Sequence, residues 1–262
     1  MKILAYKSEE NFNFDSMLEA LSKTKYEIGY MAQEIKPNVI QEFAPDVIIH
    51  NINDAETFPV KTNAISININ ETTSEYSFSF KNSMSKNYIK PFVSIKDTDI
   101  SPEQEKLFES DVVYMGSPAI FKNVLQFLCD EKNNINFKFF SHQTHNIRGY
   151  CGMCNSQDYL KFYKKSKACL VHNKDVNRIM DIVIWDGNPV VYENEDQCIK
   201  DIKDAIYEDK KFAIKQYNKK DILQNHTAYD RISEIFKKIG LKKVSEEILK
   251  TKNFNLEKKW KL

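Results

Sequence analysis

Residues 170–192 read LVHNKDVNRIMDIVIWDGNPVVY, and this stretch decides the fold class. Its first apolar run predicts a strand over 167–173, and the apolar residues at helical spacing after it predict a helix over 176–186. Gly-Asn-Pro and two valines follow, which predict a second strand over 188–192. A strand, a helix and another strand in such short succession are typical of a βαβ unit with parallel strands.

The same rhythm extends to both sides of this stretch. Ser117 and Pro118 follow an apolar run and match the N-cap and the first position of a helix. Gly240 matches a residue that ends a helix. The patterns of the C-terminal half predict further strands over 111–116 and 135–141 and helices over 117–131, 156–166, 195–209, part of 210–226, 227–240 and 244–254.

The N-terminal half contains a second alternating series, and the polar segment 98–110 separates the two. We therefore predict an α/β protein with two Rossmann-like domains that face a cleft, where ligands bind outside the carboxyl ends of the strands. The predicted domains are 1–105, 106–240 and a helical tail over 241–262. In the first of them, we expect helices over 14–24 and 38–44 and strands over 2–6, 26–31, 45–52, 64–69 and 92–97.

Composition narrows the class of protein. Hydrophobic residues make up 42% of the 262 residues, charged residues 29%, and the net charge is +1, which is typical of a globular protein and gives no indication of a nucleic-acid surface. No apolar run reaches the roughly 18 residues of a membrane span. Five scattered cysteines favour reduced thiols and a cytoplasmic location. Neither of the common glycine-rich nucleotide motifs occurs, which disfavours dinucleotide oxidoreductases and P-loop enzymes.

Four segments of the C-terminal half carry a family likeness. They are DVVYMGSPAIFKNVLQFL (111–128), SQDYLKFYKKSKACLVHN (156–173), NRIMDIVIWDGNPVVY (177–192) and NHTAYDRISEIF (225–236). In this order they resemble the C-terminal domain of GT-B glycosyltransferases, in particular the CgeB-like, spore-maturation-type family. The resemblance implies a compact GT-B fold and an enzyme that transfers a sugar from a nucleotide-sugar donor to an acceptor hydroxyl.

The resemblance also implies which residues bind the donor. Arg178 lies early in its predicted helix, where a guanidinium could bind the diphosphate, and Asp181 one turn later could accept hydrogen bonds from ribose hydroxyls. In the loop expected beneath the base, the backbone could approach the base closely at a glycine and an aromatic ring could stack on it. The complete predicted donor-binding set is Gly116, Ser117, Arg148, Gly149, Tyr150, His172, Arg178, Asp181 and Asn188.

Differences from the family pattern leave a second hypothesis open. Asp181 stands where the family usually has Glu, Gly187 comes one residue late, and Asn173 occupies the place of an acid. The alternative is a catalytically degenerate GT-B-like module that binds a nucleotide, a glycan or a protein partner without turnover. The simplest structural interpretation of Arg178 and Asp181 is an exposed ion pair on a surface helix.

A catalytic base is expected in the N-terminal domain. His50 and Asp54 follow an apolar strand, and either side chain at a strand's carboxyl end could deprotonate an acceptor hydroxyl. A hydrogen-bonding role at the strand end is the alternative. The resemblance implies no bound metal and no cofactor, so the expected partners are the nucleotide sugar and an unknown hydroxyl acceptor: a glycan, a protein or a nucleic acid.

Two further motifs have competing interpretations. His142 and His145 precede Cys151 and Cys154 closely, so a tetrahedral zinc site competes with a loop that contains incidental thiols.

Near the end of the C-terminal half, Thr227 and Asp230 have the spacing of a capping box with a short acid. This spacing favours a structural role for Thr227 and leaves a ligand contact open for His226.

Overall fold

A computed structural model describes residues 1–8, 12–32, 34–52, 62–69, 92–93, 99–117, 122–141, 143–154 and 158–260. The chain forms two compact units. Unit 1 comprises Met1–Ile95 together with Gln224–Leu262, and unit 2 comprises Lys96–Leu223. Among the described residues each unit contains one four-stranded parallel sheet, so the predicted α/β class with Rossmann-like sheets is confirmed. The predicted cleft between two domains stays a prediction.

The sheet of unit 1 has the strand order β2-β1-β3-β4, and every neighbouring pair is parallel. The chain moves outward from β1 to β2 on one side and from β3 to β4 on the other, so its winding direction reverses between β1 and β3. The strands are β1 (Lys2–Lys7), β2 (Glu27–Ala32), β3 (Val47–His50) and β4 (Ile65–Asn68). Both central strands are buried on both faces, as the near-continuous apolar runs predict.

In the described part of unit 1, two helices connect these strands. α1 (Phe12–Ser22) buries Phe14, Met17 and Leu21, which recur at helical spacing on one face. α2 (Pro37–Phe43) begins with a proline at its first position, where the missing N–H has no intrahelical partner to lose.

The last three helices are α8 (Lys219–Asn225), α9 (Ala228–Lys238) and α10 (Lys242–Trp260). α9 packs against α1 and α10, and Val93 pairs with Thr227 through two backbone hydrogen bonds to the residues that flank it. Residues 224–240 therefore belong with unit 1, whereas the prediction placed them in the second domain. Periodicity shows that a helix has an apolar face, but it does not show which unit covers that face.

Thr227 caps α9, as its spacing with Asp230 predicted. Its Oγ1 accepts from the backbone N–H of Asp230, and the Asp230 carboxylate accepts from the backbone N–H of Thr227 at 2.8 Å. His226 lies inside the same polar cluster, with Nδ1 3.0 Å from Nη2 of Arg231. The capping interpretation is confirmed.

Two buried cations fix the end of α8. Nζ of Lys252 donates to Asp230 at 2.6 Å and to the carbonyl of Gln224, while Nη2 of Arg231 donates to the carbonyl of Asn225 at 3.1 Å. The last carbonyls of a helix lack intrahelical partners and carry partial negative charge. The two cations satisfy them and join α8, α9 and α10.

The sheet of unit 2 has the order β6-β5-β7-β8 and is also parallel throughout. Relative to chain order this is the arrangement of unit 1, and the winding direction reverses between β5 and β7. The strands are β5 (Ser110–Met115), β6 (Phe137–Phe140), β7 (Ser166–His172) and β8 (Pro189–Tyr192). The helices are α3 (Glu105–Phe108), α4 (Lys122–Cys129), α5 (Tyr159–Lys165), α6 (Val176–Ile184) and α7 (Glu195–Tyr207), with 3-10 helices at Pro102–Gln104 and Glu131–Asn133.

One hydrophobic core of unit 2 fills the space between its sheet and the helices α4 and α7. It includes Val112, Phe139, Leu170, Val190 and Ile202, which are at most 2% exposed. Of the predicted strand over 92–97, Val93 forms one bridge, and residues 94–97 lie outside the described residues. No helix within the described ranges is long and apolar enough to span a bilayer.

Candidate anion site at the carboxyl edge of the second sheet

The carboxyl ends of β5 and β7 lie side by side at the centre of the unit 2 sheet. β5 ends at Met115 and β7 ends at His172, and the winding direction of the chain reverses between these strands. In parallel sheets this is where the loops diverge and leave a crevice for ligands. Of the predicted donor-binding residues, this edge brings together Gly116, Ser117, His172 and Arg178.

Gly116 forms the turn that leaves β5. Its φ is +150°, and a Cβ there would lie 2.7 Å from the hydroxyl of Tyr114 and 3.2 Å from Nη1 of Arg178. No other residue fits this turn without a shift of its neighbours. The hydroxyl of Tyr114 donates to the carbonyl of Ser117 at 2.8 Å, and burial raises the pKa of Tyr114 to about 12, so it stays a donor at neutral pH.

Arg178 projects from the first turn of α6 to this edge. Its Nη1 donates to the carbonyl of Met115, and its Nε lies 3.2 Å from the carboxylate of Asp175. The side chain is nevertheless 38% exposed. The guanidinium is therefore held in place by the strand end and the helix start while part of it faces solvent.

Asp175 was not among the predicted site residues. It is the N-cap of α6, and its side chain accepts from the backbone N–H of Arg178. A signal was present in the sequence, because an aspartate directly before an apolar-periodic helix is a typical N-cap. The ion partner of Arg178 is this residue and not Asp181.

His172 ends β7 at the same edge. Its Nδ1 accepts from the backbone N–H of Lys174 at 3.1 Å, so the neutral ring carries its proton on Nε2. The ring lies 6.0 Å from the ring of Tyr192, the last residue of β8. The half-buried imidazole is thus a fixed polar group beside the strand ends.

The side chain of Asp181 is buried and is not accessible to a ligand. It is 2% exposed, and the hydroxyl of Tyr159 donates to its carboxylate at 3.1 Å. Burial, with the nearby Asp181 charge, raises the pKa of Tyr159 well above its usual value, which keeps this donor protonated. The predicted ribose contact and the exposed pair with Arg178 both require an exposed carboxylate, so the structure supports neither.

Arg148, Gly149 and Tyr150 lie along the outer edge of β6. The carbonyl of Gly149 accepts from Phe139, and a Cβ on Gly149, whose φ is +83°, would lie 2.3 Å from the carbonyl of Phe137. Tyr150 pairs with Phe139 and packs against its ring at 5.8 Å. These residues cover the sheet edge, and exposed Arg148 lies before this pairing, on the side where β6 begins.

Asn188 lies at the opposite end of the sheet. It precedes β8, and in a parallel sheet the amino ends of the strands lie away from the carboxyl edge. Its side chain is 2% exposed; the amide donates to the carbonyls of Lys167 and Lys210 and accepts from the backbone of Phe212. Asn188 thus fixes the loop after α7 and leaves the predicted donor-binding set.

The zinc alternative finds no support among the described residues. Nε2 of His145 lies 3.1 Å from the hydroxyl of Ser141, and the imidazole packs against Tyr150. Burial, together with nearby acidic groups, raises the pKa of Cys154 to about 12, so this thiol stays protonated in the metal-free protein. Within the described residues no three metal-binding side chains form a group, and His142 lies outside them.

The predicted base His50 is a buried strand-end residue of unit 1. It is 2% exposed, and its Nε2 lies 3.0 Å from the hydroxyl of Ser66. A general base must come within hydrogen-bonding distance of its substrate, and the burial of this ring disfavours that role. The hydrogen-bonding alternative fits His50, while Asp54 lies outside the described residues.

We expect His50 to make folding stability depend on pH. Burial lowers its pKa from 6.5 to about 4, so between these values the unfolded chain binds one more proton than the folded chain. The stabilisation is complete above about pH 6.5 and is lost as the pH falls toward about 4, by up to about 3 kcal/mol. Urea unfolding of the wild type and of His50→Gln across this range measures the effect. An equally steep fall in both proteins would contradict it.

A comparison of the sequence with models of known protein families found no match, and a comparison with curated proteins found none.

Proposed function

We propose that the chain is a glycosyltransferase that holds the diphosphate of a nucleotide-sugar donor at the carboxyl edge of the unit 2 sheet. The position of Arg178 carries the proposal. Its guanidinium is fixed at the point where the winding of a parallel sheet reverses, against a turn that has no side chain at Gly116. A fixed guanidinium can bind two phosphate oxygens and stabilise the charge that develops on a leaving diphosphate. The proposed reaction needs no metal and takes place in the cytoplasm.

A binding module without turnover is the second candidate. The burial of His50 argues against one of the two predicted bases, and Asn173 stands where the resembling family has an acid. Both observations favour a protein that binds a nucleotide sugar and releases it unchanged. The acceptor of the first candidate remains a hydroxyl of a glycan, a protein or a nucleic acid.

One experiment separates these candidates. A thermal-shift screen with nucleoside diphosphates and nucleotide sugars identifies the nucleotide, and proton NMR of the stabilising nucleotide sugar then follows its slow hydrolysis. For a glycosyltransferase we expect stabilisation and release of free sugar with the nucleoside diphosphate. Stabilisation without release would favour the binding module. If no nucleotide stabilises the folded protein, the glycosyltransferase is contradicted, and so is a module that binds a nucleotide.

A further inference from the structure

Asp175 sets the charge of the candidate anion site. Its carboxylate lies 3.2 Å from Nε of Arg178, and the two side chains are 36% and 38% exposed. An anion that reaches the guanidinium therefore also comes close to a carboxylate. Because the pair has no net charge, attraction of a simple anion by Arg178 is largely offset by repulsion from Asp175.

Both side chains of the pair, Asp175 and Arg178, can form further hydrogen bonds. Arg178 uses Nε and Nη1 within the protein, and in the part of the chain that the structure describes its Nη2 makes no hydrogen bond. A carboxylate accepts about four hydrogen bonds, and Asp175 uses two of these positions for Arg178. The edge thus presents a donor for an anionic oxygen next to an acceptor for a hydroxyl.

The backbone around the pair favours a ligand of this kind. Gly116 places no Cβ beside the guanidinium, where one would lie 3.2 Å from Nη1 of Arg178, so no side chain of this turn covers that part of Arg178. Asp175 is held by its N-cap bond to α6, so its carboxylate cannot turn away from the ligand without uncapping the helix.

We propose that Asp175 is a specificity-determining residue that makes the site select phosphates joined to a hydroxyl-bearing sugar and reject inorganic anions. The proposal rests on the proposed function. It assigns to Asp175 the hydrogen bond from a sugar hydroxyl that buried Asp181 cannot accept. A hydroxyl of the ligand donates to Asp175 while its phosphate accepts from Arg178. The hydroxyl belongs to the ribose or to the transferred sugar.

The test compares the wild type with Asp175→Asn. Asparagine is as good an N-cap as aspartate, so α6 keeps its start while the negative charge is removed. Calorimetry with UDP, GDP, ADP and their sugar derivatives measures binding of the sugar phosphates, and inorganic pyrophosphate is the simple anion. In D175N we expect about tenfold tighter binding of pyrophosphate, because the repelling charge is gone. We expect no such gain for the preferred nucleotide, because a charged hydrogen bond to its hydroxyl is lost at the same time. The preference for the nucleotide over pyrophosphate therefore falls about tenfold or more.

Asp130→Asn is the matched control, because Asp130 is an exposed N-cap in the same unit and its change alters the net charge equally. D130N should bind both ligands as the wild type does. If the wild type binds a nucleotide and D175N binds both ligands unchanged, or loses both together, the role of Asp175 is overturned while the proposed function stands. If the wild type binds no nucleotide, the proposed function fails first. The 2′-deoxy form of the preferred nucleotide shows whether the ribose supplies the hydroxyl.

Discussion

Replacing Arg178 with alanine should weaken the binding of a nucleoside diphosphate by about 10- to 100-fold. The estimate follows from the loss of a charged hydrogen bond, which contributes about 1.5–3 kcal/mol. The side chain is held between the carbonyl of Met115 and the carboxylate of Asp175, so it is in place before the ligand binds. Calorimetric titration with the nucleotide that stabilises the wild type measures the loss.

Two variants make this prediction specific. Arg148→Ala removes an exposed arginine from the same unit, at the outer edge of β6, and should leave the affinity unchanged. Arg178→Lys keeps the charge but loses the planar fork, so its affinity should fall between those of R178A and the wild type. Equal losses in R148A and R178A would show that Arg178 is not the diphosphate ligand.

Replacing Lys252 with alanine should lower the free energy of unfolding by about 3–5 kcal/mol. The ammonium is 3% exposed, and it donates to the carboxylate of Asp230 and to the last turn of α8. Without it the Asp230 carboxylate, whose side chain is only 13% exposed, loses its ion partner, and the carbonyl of Gln224 loses a donor. Urea unfolding monitored by circular dichroism measures the change.

Lys250 provides the control, since it is an exposed lysine on the same helix. K250A should change the free energy of unfolding by no more than about 0.5 kcal/mol. The double variant K252A/D230N should recover part of the loss, because it removes the uncompensated charge. If K252A were as stable as K250A, the proposed contribution of the buried cation would be wrong.

Local patterns predicted most elements of this fold, although the short helix α3 lies in a segment for which no element was predicted. The apolar runs that became β3, β5 and β7 are short and continuous, which is typical of strands buried on both faces of a parallel sheet. The spacing of Thr227 and Asp230 likewise predicted the capping box that the structure contains. A strand pattern or a cap residue lies within a few residues of the element that it determines. A single sequence is therefore enough to recognise it.

The candidate site was predicted only where its residues follow directly from chain position. Gly116 directly follows β5, and Arg178 lies in the first turn of α6. Both positions were therefore expected at the carboxyl edge of the sheet. The positions of Gly149 and Asn188 are fixed by hydrogen bonds to residues distant along the chain. Sequence periodicity does not reveal such contacts.

For Asp181 the local pattern contained only a weak signal. Met180 and Ile182 flank it, but Asn177 and Arg178 lie one turn before it. The burial of Asp181 follows from packing against Tyr159.

The position of the diphosphate in a crystal of the protein with its stabilising nucleotide tests the central claim most directly. We predict a phosphate oxygen within about 3 Å of the Arg178 guanidinium, in front of the turn at Gly116. A well-ordered nucleotide at the edge of β6 near Arg148, or anywhere else away from the carboxyl ends of β5 and β7, would contradict the assignment of this site.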